Sequence, residues 1–507
     1  VIMPDKNLNE RLLSAVFNSE NVDKIDELIR AGADVNFRGF GNYTALSLAV
    51  EKGSYETVCA LVKAGARAGT ERKSGSGELV MAIKRNNLKI VMELMKAGAD
   101  VNSEDFDSNA PLMLAIQNNN IEMVKIFLEA GASPDTKNID YNTPLIVAVQ
   151  KGAAEIAGEL LTAKAGVNTK GAGQKTALLI AAEKNNKAII KYLLAAGADV
   201  NCTDTDGNTP LILASASAEI EIIMDLINAG ADINAKGFGN YTALILTAEN
   251  NRLDAVTELI GLKASLDEKN NDGETALIVA VKKAYFDIAR VLIEAGADIN
   301  CVDINLKTVL MHAAERNELD IIKLLIDRKV MLDCQNVRKN TALIIALDGG
   351  HEEAAEMLIE AGADVTIRGF GGYEAVCSAA RKGSYRIIDK LLTMGGDVNS
   401  KGYGQYTPLW FAVENGSSQT VELLLEKNAD TGAKNLFGFT ALHTAAEKGF
   451  MQIITMLIQY RSDINARELD GKTPLMLACE KGRLESAREL INQGALINAK
   501  DKSGDTA

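Results

Sequence analysis

An all-α repeat solenoid of stacked helix-turn-helix units is the fold class this sequence predicts, and three observations predict it. One tripeptide returns in a single phase along the chain, a second signature closes the units in the same phase, and each unit holds two short apolar-periodic segments parted by turn residues. A chain of 507 residues also exceeds the size at which one hydrophobic core usually stops growing, so several domains or a repeat array are required.

The tripeptide Thr44-Ala45-Leu46 recurs at Thr143, Thr176, Thr209, Thr242, Thr275, Thr341, Thr407, Thr440 and Thr473 as Thr-(Ala/Pro)-Leu, always at a multiple of 33. Arg11-Leu12-Leu13, Gly77-Glu78-Leu79, Ala110-Pro111-Leu112, Thr308-Val309-Leu310 and Glu374-Ala375-Val376 fill the gaps at that phase, which makes fifteen units without an insertion. The closing signature stands at Ala31 to Asn36, Ala196 to Asn201, Ala229 to Asn234 and Ala295 to Asn300. The predicted boundaries are an N-terminal capping unit, 6–38, then 39–71, 72–104, 105–137, 138–170, 171–203, 204–236, 237–269, 270–302, 303–335, 336–368, 369–401, 402–434, 435–467 and 468–500. Residues 501–507 open a truncated unit, and the first residue is Val1, so the chain is expected to be a piece of a longer protein.

Residues 204–236 show why each unit folds. Asp204-Thr205-Asp206-Gly207-Asn208 has turn chemistry, because Gly tolerates positive φ and Asp or Asn bonds its own backbone. Thr209 stands where an N-cap hydroxyl accepts an orphan N–H, and Pro210 sits at the first helical position, where its missing donor costs nothing. Leu211, Ala214 and Ala216 make a short first helix, Ile222, Ile223, Leu226 and Ile227 form a one-sided stripe on a second, and Gly230 ends it in the left-handed conformation. So small a pair cannot bury both stripes alone and must stack on its neighbours.

These motifs resemble the ankyrin-repeat family, whose 33-residue unit is a β-turn followed by two antiparallel helices with a Thr-Pro-Leu-His-x-Ala opening. The resemblance covers nearly all of residues 6 to 507 and implies an ankyrin solenoid with β-turn or hairpin tips, a curved rod with a concave face. At the 8–10 Å spacing of packed helices, fifteen layers would span roughly 120–150 Å. The chain departs from the family at the His of the opening, where it has Ile146, Leu179, Ile212, Ile245, Ile278 and Ile344; only His443 keeps it. More of the cohesion between units is therefore expected from aliphatic burial. Residues 66–80 lose both signatures and are expected to form the weakest joint, with local fraying expected at 328–337 and 427–432.

Composition narrows the function classes. With 47% hydrophobic and 24% charged residues the chain is ordered, and its formal charge of −14 argues against nucleic acid bound by phosphate neutralisation. No apolar run approaches the roughly 18 residues of a membrane span, so no membrane insertion is expected. Six cysteines in so long a chain do not form a disulfide framework, and a reducing, cytoplasmic location and a monomer are expected. Cys202, Cys301 and Cys334 share one repeat position, filled elsewhere by small residues, which argues for packing rather than metal. The three histidines, His312, His351 and His443, have no Ser, Cys or carboxylate arrangement that the period would assemble, so the chain is read as non-enzymatic and without a cofactor. Lys170-Gly171-Ala172-Gly173-Gln174-Lys175-Thr176 only faintly resembles a phosphate loop, because Gln174 breaks the motif and no strand precedes it.

The most distinctive feature is a variant turn in which Gly replaces the turn Asp and a base and two aromatics join it. It contains Arg38, Phe40 and Tyr43; Lys236, Phe238 and Tyr241; Arg368, Phe370 and Tyr373; and Lys401, Tyr403 and Tyr406. Resemblance to protein-binding ankyrins implies that these tips face the concave side and touch the partner, and aromatic and Arg side chains are enriched at binding hot spots. The richest stretch runs from Arg368 through Trp410, the sole tryptophan, to Lys434, Phe437 and Phe439. The competing reading has the rings packing on one another over the glycine-rich backbone, and Trp410, at the usual His site, belonging to the core. Charged pairs closing the first helices, such as Glu51-Lys52, Arg381-Lys382 and Glu447-Lys448, read as a solvated face. The expected function is a scaffold or adaptor that binds a protein along its concave face. The alternatives are a recognition arm of a larger multidomain enzyme or channel whose working domain lies outside this chain, and a mechanical spacer.

Overall fold

The computed structural model describes residues 6–68, 77–217 and 219–507, so most of the joint expected at 66–80 lies outside the described residues. Thirty α-helices of six to twelve residues, arranged in antiparallel pairs, make up the described chain, and no β-strand is found among these residues. The chain divides into two compact parts, Val1–Ala243 and Leu244–Ala507. No helix among the described residues is long and apolar enough to cross a membrane.

The first helix of a pair starts where its cap dictates. Thr209 Oγ1 accepts the Ile212 N–H at 3.3 Å with Pro210 in the first turn, and Thr275, Thr341 and Thr407 cap Ile278, Ile344 and Trp410 at 3.3, 3.3 and 3.2 Å. These helices are sandwiched on all sides: Ala276 to Val281 are every one buried. The second helix buries a single stripe, as in Ile220–Asn228, where Ile222, Ile223 and Leu226 are buried while Glu221 and Asn228 are exposed.

The second helix closes on a residue in the left-handed region at one phase of the repeat. Gly230 has φ +97°, with its N–H on the Ile227 carbonyl at 2.9 Å and the Ala231 N–H on that of Leu226 at 3.1 Å. At the same position Lys164, Lys263, Lys329, Asn428 and Arg461 take φ of 61°, 64°, 59°, 64° and 66°. In the off-pattern stretches 328–337 and 427–432 the helix-closing bonds are formed: Lys329 and Val330 donate to Ile326 and Leu325 at 2.9 and 3.1 Å, and Asn428 and Ala429 to Leu425 and Leu424 at 3.0 and 2.9 Å. The departure lies in the residue that bears the left-handed strain.

The closing signature stitches one helix pair to the next. Asp199 Oδ1 accepts the Asn201 N–H at 2.9 Å, a local turn that aims the Asn201 side chain at the following pair. There Asn201 takes the Asp232 N–H at 2.8 Å and donates to the Gly230 carbonyl at 3.1 Å, so one amide satisfies two backbone groups of its neighbour. Asn36 does the same with Arg67 and Gly65, and Asn300, Asn399 and Asn465 receive the N–H groups of Met331, Asp430 and Leu496. His443 adds a link of its own: Nδ1 lies 2.8 Å from Thr440 Oγ1 and Nε2 lies 3.2 Å from the Lys472 carbonyl of the next pair.

Replacing Lys329 by Gly removes a Cβ from a left-handed residue and is expected to stabilise the surrounding helix pairs by about 1 kcal/mol, less the added entropy of the unfolded glycine. Hydrogen exchange of Leu319–Asp327 reads the gain, and no slowing would contradict the strain. Burial holds the His443 imidazole down at about 4, below its ordinary 6.5. The unfolded chain therefore takes up a proton that the folded one refuses, so this contribution is intact above pH 6.5 and is lost as pH falls towards 4, by up to about 3 kcal/mol. The opening free energy of Ala441–Lys448, from exchange rates corrected for pH, should fall more steeply in that window for the native chain than for His443→Ile.

Candidate functional site

The tips are built from the turn residue outward. In an ordinary tip the side chain of Asp204 accepts the N–H of Asp206 at 3.0 Å and of Asn208 at 2.9 Å, closing the loop on itself. Backbone bonds then tie tip to tip in the C-terminal part: Ile304 donates to the Asp272 carbonyl at 2.9 Å, Val337 to Asn305 at 3.1 Å, Leu436 to Gly404 at 3.0 Å and Leu469 to Phe437 at 3.1 Å.

Variant tips solve the same problem with a neighbour's side chain. Where Gly237 and Gly369 replace the turn carboxylate, Asn208 and Asn340 of the preceding pair reach over and accept the Phe238 and Phe370 N–H groups at 2.9 and 2.7 Å. A Cβ on Gly237 would stand 2.5 Å from Asn208 Oδ1, and one on Gly369 would stand 2.6 Å from Asn340 Oδ1. These glycines have ordinary negative φ and are required by close approach, not by turn handedness. At Gly402 the Tyr373 ring itself fills the space, and its hydroxyl donates to the Tyr403 carbonyl.

The two aromatics of a variant tip part company. Phe40, Phe238, Phe370 and Tyr403 stand in solvent, with Phe370 and Tyr403 72% and 79% exposed. Tyr43, Tyr241, Tyr373 and Tyr406 are half-buried and lie against the glycines of their own turns, Gly41, Gly239, Gly371 and Gly404. Tyr373 meets Phe411 edge-on at 5.3 Å, Tyr406 stacks on half-buried Trp410 at 4.1 Å, and Phe439 lies 5.5 Å from His443. Arg368 donates to the Lys401 carbonyl at 2.9 Å and pairs with buried Glu374 at 3.1 Å, and Lys434 donates to the Arg467 carbonyl at 2.9 Å. Burial raises the Glu374 carboxyl while the Asp397 amide and Arg368 pull it down. Arg38 and Lys236 are exposed, as Arg368 and Lys434 are, and Lys401 is half-buried. The residues from Arg368 to Phe439 come together on successive tips of the C-terminal part, whereas those around Phe40 and Phe238 belong to the N-terminal part.

One set of residues escaped the reading of the sequence. The position of Phe370 and Tyr403 is apolar and exposed in ordinary tips as well, as Ile304, Val337, Leu436 and Leu469, which gives six consecutive apolar tips in the C-terminal part. The signal was present: an apolar residue recurring every 33 positions inside a turn, outside either helix stripe.

Elsewhere, burial and pairing explain the candidate chemistry. Against expectation, the fold does bring a carboxylate to a histidine, since the Asp303 turn folds over the helix that follows and sets Oδ2 3.1 Å from His312 Nε2; burial still lowers the His312 pKa. All six cysteines are free, and burial pushes the Cys301 and Cys377 thiols up to about 11, which keeps them protonated. No group of three or more metal-ligating side chains occurs among the described residues. Lys170 to Thr176 forms another variant tip, with Gln174 at φ +60° and the Asn142 side chain accepting the Ala172 N–H at 3.3 Å. The charged ends of the first helices bridge adjacent pairs, as Lys448 to Glu414 at 2.7 Å and Arg381 to Asp348 at 2.5 Å, exposed pairs worth about 0–1 kcal/mol each.

If the asparagine dictates the glycine, Gly369→Ala should cost about 1–3 kcal/mol in the native chain and distinctly less beside Asn340→Ala. A double-mutant cycle in urea measures the coupling, and additive costs would show that the side chain and the glycine are independent.

The ankyrin-repeat pattern of three copies matches residues 79–171, 145–237, 234–303, 300–369, 370–435 and 409–501, which together run from 79 to 501 without a gap. No curated protein matches the chain. Matched over most of its length, and built of capped helix pairs joined by hydrogen-bonded tips, the chain belongs to the ankyrin-repeat family, whose modules generally bind proteins and are typically non-catalytic.

Proposed function

We propose that this chain is a protein-interaction scaffold that holds its partner on the turn-tip face, with Phe370 and Tyr403 as central anchors. The observation that carries the reading is the run of exposed apolar tips in the C-terminal part. Stacking has other supports: the tips are tied by backbone bonds, by Asn340 and by Tyr373, while the Phe370 and Tyr403 side chains stand mostly in solvent. Burying an aromatic ring in a partner's pocket gains roughly 1.5–3 kcal/mol, so two anchors suffice to dominate an interface of ordinary size. A mechanical spacer has no use for such rings, and a row of exposed hydrophobics on a plain spacer is an aggregation liability.

Two pairs of substitutions separate binding from packing. Phe370→Ala with Tyr403→Ala is expected to weaken capture of the native partner by tenfold or more with an unchanged melting profile. Tyr373→Ala with Tyr406→Ala should instead lower the stability of the C-terminal part, because it empties the space between the Gly402 and Gly404 turns and the Phe411 and Trp410 rings. Partner capture that survives the first pair intact would sink the proposal.

A further inference from the structure

The partner's chemistry is legible at the same tips, and this step rests on the scaffold reading above. Tip residues 335–340, 368–373, 401–406 and 434–439 contain Arg338, Lys339, Arg368, Lys401 and Lys434 and not one Asp or Glu, in a chain of net charge −14. The flanking tips are acidic or mixed: Asp272, Glu274 and Asp303 precede this run, and Glu468 and Asp470 follow it. Four successive tips are thus free of acid, and they are the four that present Val337, Phe370, Tyr403 and Leu436.

Carboxylates near this run are already engaged. Glu374 lies buried beneath Arg368 at 3.1 Å, Asp348 holds Arg381 at 2.5 Å, Glu315 holds Lys307 at 2.8 Å and Glu414 holds Lys448 at 2.7 Å. Arg338, Lys339 and Lys401 have no carboxylate partner among the described residues. Arg338 stands between two hollows, one of 220 Å³ walled in part by Phe370, Tyr373 and Phe411 and a more polar one of 540 Å³ bordered by Val337 and Lys307; Asp348, which lines both, is held by Arg381, and Glu315, which lines the second, is held by Lys307.

We infer that these four tips recognise an acidic, extended segment of a partner protein, with apolar side chains seated between the tips and carboxylates on Arg338, Lys339 and Lys401. Stacked layers are roughly 8–10 Å apart and an extended chain advances about 3.3 Å per residue, so every third residue of such a segment meets a new tip and about ten residues cover the run. Arg338 adds bidentate selectivity for carboxylate. Single-stranded nucleic acid fits less well: base stacking needs a continuous aromatic platform, and here only Phe370 and Tyr403 project rings, flanked by the aliphatic Val337 and Leu436.

Panning a random 12-residue peptide library against the full chain, its Arg338→Glu/Lys401→Glu variant and its Phe370→Ala/Tyr403→Ala variant tests this, with circular dichroism to establish that each variant folds. The expected result is enrichment of peptides with net negative charge and apolar residues about three apart. Their binding should drop by roughly tenfold or more on charge reversal and weaken as salt rises. Neutral or basic winners, no enrichment at all, or winners that bind the charge-reversed variant equally well while losing the alanine variant would overturn the acidic partner and leave the scaffold standing. Winners unaffected by either variant would overturn both readings. Binding of a 12-nucleotide oligouridine or of phosphatidylserine vesicles to the native chain but not to the charge-reversed one, without an acidic peptide consensus, would assign the bases to phosphate instead.

Discussion

No helix pair in this chain can bury its own apolar surface, and the rest of the molecule is arranged around that deficit. The first helices carry apolar residues on every side, with Ala276 to Val281 all buried, so each needs a neighbour on both flanks. Burial alone is non-directional and would let adjacent pairs slide. Hydrogen bonds at fixed offsets set the phase: Asn201 to the amide 31 residues on, Asn208 to the amide 30 on, and Arg368 to the carbonyl 33 on. An insertion of a single residue between two pairs would break all three at once, which accounts for a period held at 33 along the chain.

The same requirement governs where the chain tolerates strain. A helix must turn back after its ninth or so residue to keep the layer thin, and a left-handed residue does this in one step. Glycine fills that role at Gly230, Gly296 and Gly362, but Lys263 and Lys329 also enter the left-handed region in the intervening pairs. The register of the stack thus outweighs the local cost of roughly 1–2 kcal/mol at each non-glycine site. A cooperative array can carry a few such sites because each pair is held by neighbours on both sides, the nearest-neighbour logic of repeat proteins.

Features that repeat were legible in the sequence, and features that depend on the neighbour were not. Caps at Thr209 and Thr275, the left-handed Gly230 and the buried stripe of Ile222, Ile223 and Leu226 each follow from residues within one unit. Gly369 looked like a turn glycine, yet a Cβ there would run into Asn340 and Ile344, 29 and 25 residues earlier, and that coupling is visible only once the pairs are stacked. The two aromatics of a variant tip looked equivalent by composition, but Tyr373 and Tyr406 pack on turn glycines and neighbouring rings while Phe370 and Tyr403 project into solvent. His312 and Asp303 were missed because the turn folds back over its own helix, a contact within one unit that periodicity does not encode.

Internal repetition lets the chain act as its own alignment, and that comparison separates structure from recognition. Positions that stitch the stack recur in most units: Thr at the cap, Asn or Asp at the closing signature, and, with exceptions such as Glu104, Thr203, Val302 and Gln335, a base at the position of Arg368, where Lys137, Lys269, Lys434 and Arg467 each bond to the carbonyl one period on. The projecting tip position obeys no such rule, running through Phe106, Ile139, Ala172, Thr205, Phe238, Asn271, Ile304, Val337, Phe370, Tyr403, Leu436, Leu469 and Lys502. A site free of stacking duty drifts in polarity unless something else constrains it, and six consecutive apolar choices from Ile304 to Leu469 are the opposite of drift. The bonds that tie the tips, through the backbone, Asn340 and Tyr373, do not call for that run, and it is the observation on which the proposed scaffold rests.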